Sequence, residues 1–158
     1  MDRWLDRQNR CSYTYIMTDD ADLIACNHCL CLASRRAART LTRAFDRALR
    51  PHGIRATQFS ILTVLLLRGK LTIGELAEHL GVERTTLTRN LALIEEAGWV
   101  DIRPGEDARS RLVAATRKGR AAVTAALPAW RKAQQAAAAA LGHGAVDALH
   151  ALARDVTR

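Results

Sequence analysis

The spacing of apolar positions changes several times along this chain, and each change predicts an element. From about Asp22 to Arg50, residues Leu30, Ala33, Ala37, Leu41, Ala44, Phe45 and Leu49 recur at three- and four-residue steps, which predicts one long helix. Its other face carries Arg35, Arg36, Arg39, Arg43 and Arg47, and Pro51-His52-Gly53 breaks it. Thr57 to Leu67 predicts a second helix, with Thr57 near its cap and Phe59, Leu62 and Leu66 turned inward. Thr72 is placed to cap a third, in which Ile73, Leu76, Ala77 and Leu80 share a face. Gly81 follows where the backbone must turn, and a fourth helix turns Leu87, Leu91 and Ile94 inward. Gly98 ends it.

The pattern then shifts to strand character. Trp99-Val100-Asp101-Ile102-Arg103 and Arg111-Leu112-Val113-Ala114-Ala115 flank the polar turn Pro104 to Ser110, which predicts a β-hairpin. Thr116 is placed to cap a long helix from Arg117 to Leu141, kinked at Pro128. Gly142-His143-Gly144 stops it, and Val146, Leu149, Leu152 and Val156 mark a last amphipathic helix.

Chemistry concentrates in the two short helices. The positions left outside at the N-terminal end of the second of them are Arg84, Thr85, Thr86, Thr88 and Arg89, with Asn90 next in line. Cations and hydroxyls on a rod held by its back face suit the DNA major groove, where donors reach phosphates and base edges. An ordinary helical hairpin with a solvated outer face is the plainer reading. The conjunction of the glycine turn with the Thr/Arg-rich end argues against it. The hairpin that follows forms a wing. Arg109, with Ser110 and Arg111, stands at its turn, where an arginine can enter the minor groove. Asp107 is the expected local partner of Arg109 or Arg111; a solvated tip is the plainer reading here too.

From about Leu23 to Val156 these residues resemble the MarR family of bacterial winged-helix regulators. The pieces that carry the resemblance are GVERTTLTRNLALIEEAGWV, the wing EDARSRLVAATRKGR, and ALPAWRKAQ. In the wing, Ala108 stands where the family often has Pro and Ser110 where it often has Asp; neither removes the charged turn. The resemblance implies a symmetric dimer that represses transcription and is released by a small molecule or an oxidant. It also implies a ligand pocket where the terminal helices meet the winged helix, here near His28, Arg36, Phe59 and Trp130.

The expected architecture is mainly α with a small β-wing. Residues 1–21 form an extension and 22–158 a single domain. Within it, 22–50 and 117–158 are dimerisation helices flanking a winged-helix lobe at 56–116. Each terminal helix carries an apolar stripe that a winged helix cannot cover alone. The alanine run Ala136 to Ala140 would let helices approach closely, although alanine also serves simply as a strong helix former. Residues 1–16 show no clear period and precede Met17, which reads as an extension, disordered or an arm, from an upstream start; packing of Trp4, Tyr13 and Tyr15 on a partner subunit is the alternative.

Charge agrees with an anionic partner. The 158 residues carry a formal net charge of +8 and a pI near 10.2, mostly from arginine. No apolar run is long enough to span a bilayer, and no leader pattern opens the chain, so the expected location is cytoplasmic and no membrane partner is expected. No nucleophile–base pair, phosphate loop or paired-carboxylate pattern is present; the reading is of a protein that is not an enzyme and uses no cofactor.

Cys11, Cys26, Cys29 and Cys31 all fall near the start. A cytosolic setting disfavours structural disulfides. Cys26-Asn27-His28-Cys29 opens the predicted first helix, so its thiols would share a helical face at a helix N-terminus that favours thiolate. Three readings stand: Cys29 and Cys31 as small buried residues in the dimer core, a thiol sensor, or a soft metal or metalloid site completed by Cys11, His28 or the partner chain. Taken together, the sequence reads as a homodimeric DNA-binding repressor that meets a pseudo-palindromic operator in double-stranded DNA. The competitors are a winged helix that binds protein instead, and a cysteine-based redox or metalloid sensor as the primary role.

Overall fold

The computed structural model describes residues 23, 24, 26–105 and 110–155. Two compact units are present, residues 1–39 and 40–158. In order, the elements are α1 (Leu30–Leu49), α2 (Ala56–Arg68), β1 (Leu71–Thr72), α3 (Ile73–Leu80), α4 (Arg84–Glu96), β2 (Val100–Pro104), β3 (Arg111–Ala115), α5 (Arg117–Leu141) and α6 (His143–Asp155). Short 3₁₀ turns at Cys26–His28 and Arg50–His52 flank α1. No described helix is long and apolar enough to cross a membrane.

Residues 26–39 make up most of what is described of the first unit. Here the expected long helix from Asp22 begins later. Cys26–His28 form a 3₁₀ turn, closed by the Cys29 N–H on the Cys26 carbonyl at 3.1 Å, and α1 starts only at Leu30. Asn, His and Cys are weak helix formers, whereas the Leu/Ala/Arg run that follows is a strong one.

The second unit is built on a core of α2, α3, α4 and the sheet. Leu49, Ile54, Leu62, Leu76, Leu87, Leu91, Ile94 and Val113 are its fully buried large side chains. α2 starts one residue earlier than its sequence pattern predicts. Its N-cap is Arg55, whose N–H is bound by the Gln58 side chain at 2.9 Å, so Thr57 lies inside the helix rather than at its cap. α3 begins with a capping box: Thr72 Oγ1 accepts the Glu75 N–H at 3.2 Å and Glu75 Oε2 accepts the Thr72 N–H at 2.7 Å. Those backbone and hydroxyl hydrogen bonds, with a smaller contribution from His79, hold the Glu75 carboxyl below its usual range.

Three antiparallel strands form the wing, in the order β1-β3-β2. β3 pairs Val113 with Ile102 on one side and with Leu71 on the other. The sequence pattern does not predict β1, because two residues beside a capped helix show no period. At the outer end of the hairpin the Gly105 N–H donates to the Ser110 carbonyl at 2.9 Å.

α5 meets the wing at a position only glycine can hold. Its N-cap Thr116 accepts the Gly119 N–H at 3.0 Å and donates its hydroxyl to the Gly98 carbonyl at 2.8 Å. This draws the first turn of α5 onto the backbone of Trp99. A Cβ at Gly119 would overlap the Trp99 carbonyl oxygen and come within 3.2 Å of Leu62 Cδ2. The helix then runs through Pro128 to Leu141, and Gly142 (φ 76°) separates it from α6. α6 starts at His143, so Gly142 alone makes the stop. Val156 lies outside the described residues.

Candidate nucleic-acid interface

The outer end of α4 is set by what holds its inner face. Leu87, Leu91 and Ile94 are buried at 0–1% exposure, in step with the helical repeat. α3 reaches α4 through Gly81, whose left-handed backbone (φ 62°, ψ 38°) sends the chain around a turn of a few residues. At the other end Ala97 is the cap residue. Gly98 (φ 71°) follows, its N–H on the Glu95 carbonyl at 2.8 Å and the Trp99 N–H on Ile94 at 2.8 Å. Both ends of the rod are thereby fixed to the core and the wing.

Arg84, Thr85, Thr86, Thr88 and Arg89 are all exposed on this rod. Thr88 turns its hydroxyl back onto the Arg84 carbonyl at 2.7 Å, leaving lone pairs and a methyl outward. Asn90 differs from them. It is half-buried and spends an amide N–H on the Thr86 carbonyl at 3.0 Å, so its outward chemistry is that of an acceptor and one remaining donor. Arg111 is exposed at the start of β3, and Ser110 is half-buried beside Gly105. Arg109 and its expected partner Asp107 lie outside the described residues. Among the described residues the wing carries an ion pair between Asp101 Oδ2 and Arg103 Nε, 2.6 Å apart on one face of β2.

The expected ligand-pocket residues divide. Phe59 and Trp130 stack, with ring centroids 5.9 Å apart and planes inclined by 16°. They line a cavity of about 240 Å³ with Leu41, Thr42, Phe45 and Ser60. The apolar face of α1 was the sequence signal for Leu41 and Phe45; the hydroxyls of Thr42 and Ser60 gave none. His28 and Arg36 belong to the first unit and are exposed there.

Cys26, Cys29 and Cys31 are free and exposed in the single chain. Cys26 opens the 3₁₀ turn Cys26–His28 and Cys29 follows it, its carbonyl accepting the Ala33 N–H at 3.0 Å, so the pair does not sit within the first turn of a long α-helix, which corrects the expected placement. The Cys29 N–H on the Cys26 carbonyl closes one turn between them, and a turn closed in this way brings its end Cα atoms within about 7 Å. That is within reach of a disulfide. No group of three or more Cys, His, Asp or Glu among the described residues is arranged to hold a metal ion. Cys11 lies outside the described residues.

Comparison with known proteins gives a consistent set of likenesses. The sequence pattern of the MarR family matches residues 52–110. An uncharacterised HTH-type transcriptional regulator of Bacillus subtilis strain 168, YwoH, is 37% identical over 83 residues, which is 52% of this chain and 61% of that protein. The chain therefore spans about three-fifths of this curated relative. The crystal structure of the M. tuberculosis transcriptional regulator MosR is 41% identical, with a TM-score of 0.75 over 84% of this chain and 98% of that one. A second crystal structure, of MosR in complex with DNA, is 50% identical, with a TM-score of 0.67 over 72% of this chain and 84% of that one.

Proposed function

The chain belongs to the MarR family, and from that membership we propose that it is a homodimeric, sequence-specific DNA-binding repressor. The observation that carries the reading is the outer end of α4: five exposed cations and hydroxyls on a helix whose other face is buried to 0–1% exposure. Two such helices would enter successive major grooves about one helical turn apart. Arginine–phosphate contacts supply affinity, while Thr85, Thr88 and Arg89 read bases, with Thr86 and Asn90 at their margin. Arg109, Ser110 and Arg111 of the wing contact the flanking backbone or minor groove. The neighbour solved with DNA supports this assignment. A winged helix that binds protein instead would show no steep loss of duplex binding with salt.

The test starts from an operator selected out of a randomised duplex pool. Arg89→Ala is expected to weaken binding to that operator by roughly 1–3 kcal/mol and to relax base preference at one position in each half-site. Fluorescence anisotropy at matched salt reads both. A variant that binds as tightly and as selectively as wild type removes Arg89 from the reading surface.

Release of the operator requires a ligand or modification that favours a different spacing of the two lobes. The cavity beside Phe59 and Trp130 suits a small aromatic effector. The pair Cys26 and Cys29 supports a second trigger, because both thiols are exposed and stand at the two ends of one hydrogen-bonded turn, a span a disulfide can bridge. With hydrogen peroxide, two thiols lose two electrons and two protons to form the disulfide, and the peroxide is reduced to two waters. We expect peroxide to release operator from wild type, dithiothreitol to restore binding, and Cys29→Ser to abolish the response. Full release of Cys29→Ser by peroxide would eliminate this pair as the trigger.

A further inference from the structure

α3 and α5 are capped by the hydroxyls of their own N-cap residues, Thr72 and Thr116. α2 is not. Its N-cap residue is Arg55, and a guanidinium has donors only, so it cannot receive an N–H of the first turn. The acceptor comes from another helix. Asp46 of α1 stands ten residues back, and its Oδ1 accepts the Ala56 N–H, the first of α2, at 2.7 Å. Asp46 is half-buried, and its charge lies at the positive end of the α2 dipole. Among the described residues this is the hydrogen bond that joins a side chain of α1 to another element.

The bond spans a place where two helices could pivot. Between them the chain turns through Gly53 in the left-handed region (φ 69°), and nothing lies within 4 Å of the space that a Cβ would take there. Residues 40–49 of α1 and the whole of α2 belong to the second unit. Around an ideal helix Asp46 stands about 160° from Ala44. Ala44, with Thr40 and Ala48, lines the groove between α1 and α5 that is left for a second copy. This segment of α1 therefore offers one side to the partner and holds α2 with the other. α2 in turn carries the reading helix, because Ile61, Leu62 and Leu65 share one core with Leu87 and Leu91 of α4. Its first turn also stands between two cavities of about 240 Å³ each. Ala56 and Ser60 line the one beside Trp130 and a second one lined by Thr86 and Asn90 of α4.

We propose that Asp46 is a positioning residue for operator recognition. Its hydrogen bond to the first N–H of α2 fixes the angle between α1 and the reading lobe, and so sets the half-site spacing that the dimer accepts. The inference rests on the homodimeric DNA-binding reading above. In a two-fold dimer, a change of angle at α2 is repeated in both lobes and carried to both reading helices. A shift of one base pair displaces a half-site by about 3.4 Å and turns it by roughly 34°, which a held lobe cannot follow and a pivoting lobe can. A cap that served stability alone would lower the unfolding midpoint and leave the preferred spacing as it is.

The experiment uses the full chain and three duplexes: the operator selected from the randomised pool, and the same half-sites moved one base pair closer or one base pair apart. Fluorescence anisotropy gives the ratio of affinities for native and altered spacing. Wild type should prefer the native spacing. Asp46→Ala should lower that ratio roughly fivefold or more. Asp46→Asn keeps an oxygen acceptor at the same place and should restore it. An Asp46→Ala variant with the wild-type ratio overturns the proposal, even if it unfolds at lower urea.

A second variant removes the same bond from its other end and answers if Asp46→Ala misfolds. Ala56 is the first residue of α2, where proline is well accommodated, and Arg55 before it is extended (φ −95°, ψ 158°), as a residue before proline must be. Ala56→Pro therefore deletes the N–H and keeps the helix. It should lower the spacing ratio as Asp46→Ala does, and a wild-type ratio in this variant overturns the proposal. So does a wild type that binds all three duplexes alike. The two readings fail differently: a wild type that binds no duplex sinks the regulator, whereas variants that discriminate spacing as wild type does sink only the role of Asp46.

Discussion

Gly119→Ala is expected to destabilise this protein, although helix propensity by itself predicts the reverse. Replacing glycine by alanine inside a helix gains up to about 1 kcal/mol. At this position the new methyl would overlap the Trp99 carbonyl oxygen, a backbone atom held by the Thr116 N–H at 2.9 Å. Leu62, fully buried, closes the other side. Overpacking of this kind costs about 3 kcal/mol where the obstacle cannot rotate away, so the clash should win by roughly 2 kcal/mol. Urea unfolding would show a lower midpoint with an unchanged slope. Gly144→Ala is the control, because nothing lies within 4 Å of the added methyl. It should be neutral or slightly stabilising. A Gly119→Ala variant as stable as that control would mean that α5 does not lie against Trp99 as described.

The second large effect concerns assembly. α6 presents Leu149 at 38% and Leu152 at 50% exposure, and Leu141 at the end of α5 is 38% exposed. Beside them, α1 and α5 enclose a groove of about 610 Å³, lined by Leu41, Ala44, Ala133, Ala136, Ala137 and Ala140. These are surfaces that a second copy would cover. Leu149→Glu with Leu152→Glu should therefore convert a dimer into a monomer without harming the protomer, whose core contains neither residue. Deleting residues 143–158 should dissociate or unfold the protein. Losing the linked second half-site should weaken operator binding by about 10²–10⁴-fold. Sedimentation and anisotropy measure the two outcomes. A double-Glu variant that stays dimeric at micromolar concentration would place the interface elsewhere.

How the surfaces are divided is visible in the amino-acid sequence itself. Leu87, Leu91 and Ile94 at helical spacing require that Arg84, Thr85, Thr88 and Arg89 face outward, because one side of a rod can be buried only by exposing the other. Thr72 with Glu75, Gly81 and Thr116 mark helix ends because side-chain caps and left-handed glycines act locally. The strand Arg111–Ala115 and the helix Arg117–Leu141 have the bounds that their patterns predict. α1 is readable as amphipathic for the same reason, including its arginine face.

What depends on distant residues is not legible there. β1 exists because Leu71 and Thr72 find β3 across about forty residues, and a two-residue strand has no pattern of its own. The start of the first long helix at Leu30 reflects weak helix formers before it, which periodicity overlooks and which leave Cys26 and Cys29 at the two ends of a short turn. The stacking of Phe59 on Trp130 joins residues seventy-one positions apart, and spacing carries no information about such a meeting. Gly119 is the sharpest case. Its sequence neighbours make it an ordinary helical glycine, and only the approach of Trp99 makes it irreplaceable. Local periodicity and capping chemistry, which act within a few residues, determined the elements and their outward faces. Packing between elements, which depends on where each backbone comes to rest, decided the strand partners, the cavity and the position where no side chain fits.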